Sequence, residues 1–113
     1  MKKIEAKIRK SKFKEVKQAL IEGGFHSFNY HLTRCISRKS EKRVYQGVEV
    51  DTKASERIDF AIYIRNADED KVLDIIVSAG VTGDAYDSYL AVYDIGRTYA
   101  IRNIDGKDRL IQV

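Results

Sequence analysis

Two histidines, His26 and His31, and a single cysteine, Cys35, fall close together early in the chain. The histidines are five residues apart across a turn and a strand. That spacing lacks the i, i+2 or i, i+4 repeat that aims two imidazoles at one ion from a single element, so no metal site is expected. Cys35 with His31 as its base would make a nucleophile only if the two met within hydrogen-bond reach. A small apolar residue ending a strand is the simpler reading of Cys35. The carboxylates Asp68, Glu69 and Asp70 precede an apolar helical stripe and suit the positive end of a helix, with Asn66 and Glu69 spaced as a capping pair. Neither a Walker A sequence nor a GxSxG turn occurs. No catalytic machinery is expected.

Charge narrows the partners. The chain carries a net +4 and a pI near 9.2, with acids dispersed through both halves. Lys and Arg cluster only at Arg38, Lys39, Lys42 and Arg43, which reads as a solvated loop; a nucleic-acid binder would concentrate them on one face with exposed aromatics. Acidic ligands fit this charge, and nucleic acid is not expected. Met1-Lys2-Lys3-Ile4 begins no apolar signal region, and no apolar run is long enough to span a bilayer. One cysteine makes no internal disulfide and fits a reducing compartment. A cytoplasmic protein without membrane insertion is expected.

The elements that must position these groups follow from periodicity. With 113 residues, 43% hydrophobic and 34% charged, the chain reads as one domain over 1–113. Lys3 to Arg9 alternates with period two, turning Ile4, Ala6 and Ile8 to a core. Phe13, Val16, Ala19 and Leu20 then fall at helical spacing, and Gly23-Gly24 supplies a left-handed stop. A second strand spans Ser27 to about Ile36. The segment 37–56 is long and polar, which inside a small domain marks a functional excursion. Ile58, Phe60, Ile62 and Ile64 form one face of a third strand. Val72, Leu73, Ile75, Ile76 and Ala79 make a second helix closed by Gly80, and a fourth strand covers Leu90 to Ile95, followed by a short extended stretch over Thr98 to Arg102.

The order βαββαβ is the α+β, ferredoxin-like arrangement, an antiparallel sheet with two helices on one face. Two helices cover only one face, so an apolar second face requires a partner. Apolar residues on both registers of the fourth strand (Leu90 and Val92; Ala91, Tyr93 and Ile95) point to burial on both sides and hence to oligomerisation.

The phrases MKKIEAKIR at the start, FKEVKQAL in the first helix, YQG in the long segment and TGDAYDS before the fourth strand resemble, in this order and at nearly these spacings, the PII signalling family. The resemblance covers essentially the whole chain, with one residue fewer in the long loop. It implies a homotrimer whose sheets line a central channel and whose intersubunit clefts bind ATP or ADP. The segment 37–56 would be the T-loop, which engages a protein target such as a membrane transporter or metabolic enzyme. The turn 82–88 would be the B-loop and 96–113 the C-terminal tail.

Carried over residue by residue, the resemblance implies nucleotide binding by Asn29, Ser37, Arg38, Tyr63, Thr82, Gly83, Asp87, Ser88 and Arg102. Backbone N–H groups of such a turn can form an anion nest, and a guanidinium fork pairs with phosphate oxygens. Arg57 matches a basic position that holds the carboxylate of 2-oxoglutarate. Lys39, Lys42, Arg43, Tyr45 and Gly47 would belong to the partner-binding loop. The departures are specific. Tyr86 and Ser88 replace two glycines, Tyr89 stands at a phosphate-binding lysine, and Ala100 replaces the first of two tail arginines. Lys39 replaces a glutamine that helps coordinate Mg²⁺ and the keto acid, and a protonated lysine ligates no metal. The resemblance therefore leaves Mg²⁺ open and argues against a 2-oxoglutarate response. Val50 replaces the tyrosine that many relatives uridylylate.

Overall fold

The computed structural model describes residues 1–36, 42–45, 48–51, 54–80 and 89–113, with only the backbone course for 35–36, 42–45, 48–51 and 54–55. The strands are β1 (Lys2–Arg9), β2 (Asn29–Ile36), β3 (Lys42–Tyr45), β4 (Val48–Asp51), β5 (Ala54–Ile64), β6 (Tyr89–Asp94), β7 (Tyr99–Ile104) and β8 (Lys107–Gln112). Helix α1 (Lys10–Glu22) follows β1, and α2 (Glu69–Gly80) follows β5. The main sheet is antiparallel in the order β2-β5-β1-β6. This is the ferredoxin-like α+β fold expected from the periodicity.

Register makes the core. Ile4 opposes Ile62, Ala6 opposes Phe60 and Ile8 opposes Ile58, so the apolar halves of β1 and β5 share one face. Val16 and Leu20 of α1 and Val72 and Ile76 of α2 close over them, and all of these side chains are buried. Phe13, Phe25 and Phe28 pack at the margin. Helix α1 ends in a Schellman arrangement, in which Phe25 N–H donates to the Leu20 carbonyl at 2.8 Å and Gly24 N–H to that of Ile21 at 3.0 Å. Gly24 takes φ 96°, the left-handed conformation expected of this glycine pair.

Three expectations change. Asn66 and Glu69 do not form a capping pair. Asn66–Asp68 winds as a 3₁₀ turn with Arg65 at its N-cap, and Asn66 Oδ1 instead accepts from the terminal ammonium of Met1 at 2.8 Å. Ala54, Ser55 and Glu56, expected at the end of the long loop, extend β5, because β2 runs to Ile36 and offers ladder partners as far as Ile36 opposite Ala54. Tyr89, Val92 and Tyr93 of β6 are exposed in the single chain, where the expected burial of both sides would require a partner. Finally, the tail is a full hairpin of β7 and β8, turned at Asp105 (φ 52°) and Gly106 (φ 78°). Two successive positive φ values give the type I′ turn whose twist matches a two-residue hairpin.

Replacing Leu20 or Ile76 by alanine removes atoms from a closed core. Each is expected to lower unfolding free energy by about 2–5 kcal/mol in urea titrations. A loss under about 1 kcal/mol would contradict the core described here.

Candidate functional site

The face of the sheet opposite the helices is built in rows by the strand register. Tyr93, Lys3 and Tyr63 form the first row, then Ala91, Glu5, Ala61 and Asn29, then Tyr89, Lys7, Asp59 and His31, and last Arg9, Arg57 and Thr33. The face is ionic and aromatic rather than apolar. Lys3 Nζ lies 3.0 Å from Glu5 Oε1 and sits over the rings of Tyr93 (5.7 Å) and Tyr63 (5.9 Å). Tyr93 donates its hydroxyl to Glu5 Oε2 at 3.0 Å. Lys7 lies 3.8 Å from Asp59 and 5.4 Å from the Tyr89 ring centroid, while His31 Nε2 is 3.5 Å from the other oxygen of Asp59.

These contacts shift protonation in consistent directions. The Lys3 and Tyr93 hydrogen bonds hold the Glu5 carboxyl below its ordinary range. The same bonds push Lys3 and Tyr93 up, chiefly through Glu5. At the edge of the sheet Lys2 pairs with Asp94, which raises the lysine and lowers the acid.

Small Ala61 leaves a depression of about 160 Å³ lined by Glu5, Asn29, His31, Asp59 and Tyr89. Small-molecule sites hold roughly 300–1,000 Å³, so one chain alone does not present a nucleotide-sized pocket here. A more open hollow of about 370 Å³ lies at the opposite end of the sheet from the long loop, with Tyr63, Phe25, Arg65 and Lys71 among its lining.

The structure brings some sequence-named residues together and separates others. Asn29 and Arg57 share the open face, and Arg57 stands towards the base of the long loop, where Nη1 donates to the Glu56 carbonyl at 3.3 Å. Tyr63 is six residues further along β5, about 20 Å away, at the far pole. Arg102 is exposed on β7. Lys42, Arg43 and Tyr45 lie on β3, which pairs with β4 as a small separate hairpin, Arg43 opposite Val50. Ser37, Arg38, Lys39, Gly47, Thr82, Gly83, Tyr86, Asp87 and Ser88 lie outside the described residues. Sequence reasoning missed Arg109 opposite Arg102 on β8. The available signal was Asp105-Gly106, a hairpin dipeptide between two short runs.

Among the described residues no helix is long and apolar enough to cross a membrane, and no group of three or more His, Cys, Asp or Glu could hold a metal ion. The class defined so far is a ferredoxin-like domain with a long excursion between β2 and β5 and a β-hairpin tail. No protein-family model matches the chain. It is 30% identical to nitrogen regulatory protein P-II of Porphyra purpurea over 106 residues, 93% of this chain and 95% of the relative. The P-II protein of Pyropia yezoensis is 32% identical over the same shares of both chains. The nitrogen regulatory PII-like protein of Bacillus subtilis is 28% identical over 101 residues, 88% of this chain and 87% of the relative. With the fold and these full-length similarities together, the chain belongs to the PII nitrogen regulatory family.

Carbon-detected NMR titration of Glu5 checks the electrostatics of the open face. Lys3→Met is expected to raise the Glu5 pKa towards its ordinary value, and Tyr93→Phe to raise it by less. Because the folded pKa is depressed, the stabilisation from Glu5 is present above the ordinary carboxylate pKa and lost as pH falls through the folded value. An unchanged Glu5 titration in both variants would contradict the pairing.

Proposed function

We propose that the chain is a PII-type regulator of nitrogen metabolism rather than an enzyme. In this reading it is a cytoplasmic homotrimer that binds ATP or ADP at clefts between subunits and controls a protein target through the long loop. A membrane transporter or a metabolic enzyme is the class of target. The observation that carries this is similarity over 93% of the chain to proteins named for nitrogen regulation, in a fold that launches a long excursion from paired β2 and β5.

Several features support the fit to a nucleotide. Arg102 is exposed and has no acidic partner among the described residues, as a phosphate-binding guanidinium requires. Thr82, Gly83, Asp87 and Ser88 would cradle the phosphates, with Ser37, Arg38 and Asn29 contributing from the loop base and β2. The phosphate chain is what such a ligand supplies, an anion whose presence biases the loop between conformations of different affinity. Tyr89 removes one expected cation, and the Lys7 ammonium over its ring is paired with Asp59. Arg57 adds a further positive charge at the loop base. With Lys39 in place of the glutamine, no 2-oxoglutarate response is expected, and Mg²⁺ has no protein ligand at that position.

A second reading is favoured by the replacement of two phosphate-binding cations at Tyr89 and Ala100. It is a trimeric adaptor that captures its target without sensing nucleotide.

Light scattering is expected to give three times the chain mass, and calorimetry to show saturable binding of ATP or ADP. Titrations with AMP and cyclic nucleotides complete the series. Absence of binding by all of them at millimolar concentration would overturn the sensor reading. Nucleotide-insensitive capture of the target would then identify the adaptor.

A further inference from the structure

The β7–β8 hairpin has two dissimilar faces. Register puts Ile101 opposite Leu110 and Asn103 opposite Asp108 on one face, where Asn103 donates to Asp108 Oδ1 at 3.1 Å. On the other face Arg102 stands directly opposite Arg109, with Ile104 opposite Lys107 next along and Ala100 opposite Ile111 on the other side. Three cations thus share one face of a short hairpin. Its acids do not neutralise them, because Asp108 belongs to the opposite face and Asp105 to the turn.

Like charges directly opposite in a ladder are destabilising, since the side chains diverge only about 5 Å apart. Neither Arg102 nor Arg109 has an ionic partner among the described residues, and both are exposed. Nothing in the hairpin itself accounts for the pairing. Two guanidinium forks facing the same side, however, offer convergent N–H donors to the oxygens of a phosphate, and a bound anion would turn the repulsion into a bridge.

We propose that Arg109 is a second phosphate-binding residue, forming with Arg102 an arginine clamp for the oxyanions of a phosphorylated ligand, with Lys107 adding charge at its rim. Identifying that ligand as an adenine nucleotide rests on the function proposed above; the clamp itself rests on the hairpin register. The position of Arg109 also explains how the chain can carry Ala100. The second guanidinium comes from the neighbouring strand instead of from two residues away on the same strand.

The test is calorimetry with ADP and, separately, inorganic pyrophosphate on the full chain and on Arg102→Ala, Arg109→Ala and Arg109→Glu. Loss of one charge-assisted contact is expected to weaken binding about ten-fold in either alanine variant. Arg109→Glu should abolish it while keeping the hairpin, because the introduced carboxylate would pair with Arg102; retained NMR amide dispersion over 99–112 verifies that fold. Wild-type affinity in Arg109→Ala beside weakened binding in Arg102→Ala would overturn the clamp and leave the nucleotide function standing. Pyrophosphate binding that depends on Arg109 without any nucleotide binding would support the clamp and remove the nucleotide reading. Binding of neither probe by the unaltered chain would overturn the clamp.

Discussion

Strand β1 lies inside the sheet and pairs along most of its length with both β5 and β6. Its two-residue alternation sends Ile4, Ala6 and Ile8 under the helices and Lys3, Glu5, Lys7 and Arg9 to the open face. A slip of one residue against β5 would put charges against Val16 and Leu20 and isoleucines in water. The burial of one face therefore sets the register of the other. The rows of lysine, tyrosine and carboxylate on the open face are a consequence of core packing as much as of their own attraction.

The energetics of that open face are different in kind. Its ion pairs and cation–π contacts are partly solvated, where each adds little and salt screens it. What they provide is an ordered, charged, aromatic surface that can face other polar surfaces without collapsing on them. That suits a domain proposed to meet copies of itself through its sheet, where a plain apolar face would associate less selectively. The two hairpins lie outside the main sheet. β3–β4 is carried on the long excursion between β2 and β5, and β7–β8 follows β6 as the C-terminal tail. The core can therefore stay constant while these two hairpins vary.

Much of the fold was legible because its signals are local. The β1 alternation, the α1 stripe with its glycine stop and the Ile58–Ile64 face each reflect a backbone period read within a few residues. The failures also have local causes. Asn66 and Glu69 have the spacing of a capping pair, but a tertiary partner, the chain terminus, took the asparagine, and the 3₁₀ turn moved the cap to Arg65. Ala54–Glu56 is polar and carries no strand signal of its own; it is strand because β2 lies beside it. In the tail, Asp105-Gly106 is a readable turn signal, yet the strand after it alternates weakly, so β8 shows little of itself in the residue pattern.

The candidate site shows the same division more sharply. Sequence by itself determined which groups exist, an arginine at 102, a lysine at 39, a tyrosine at 89, an alanine at 100, and through resemblance it assigned them a family. Residues adjacent in function need not be adjacent in the chain. Only the tertiary structure decided that Asn29 of β2 shares one face with Glu5 of β1 and Asp59 of β5. It alone set Lys7 over Tyr89 and Arg109 across from Arg102. The physical reason is that side-chain proximity across a sheet follows from register, and register is fixed by burying the far face, a property of the whole packed domain.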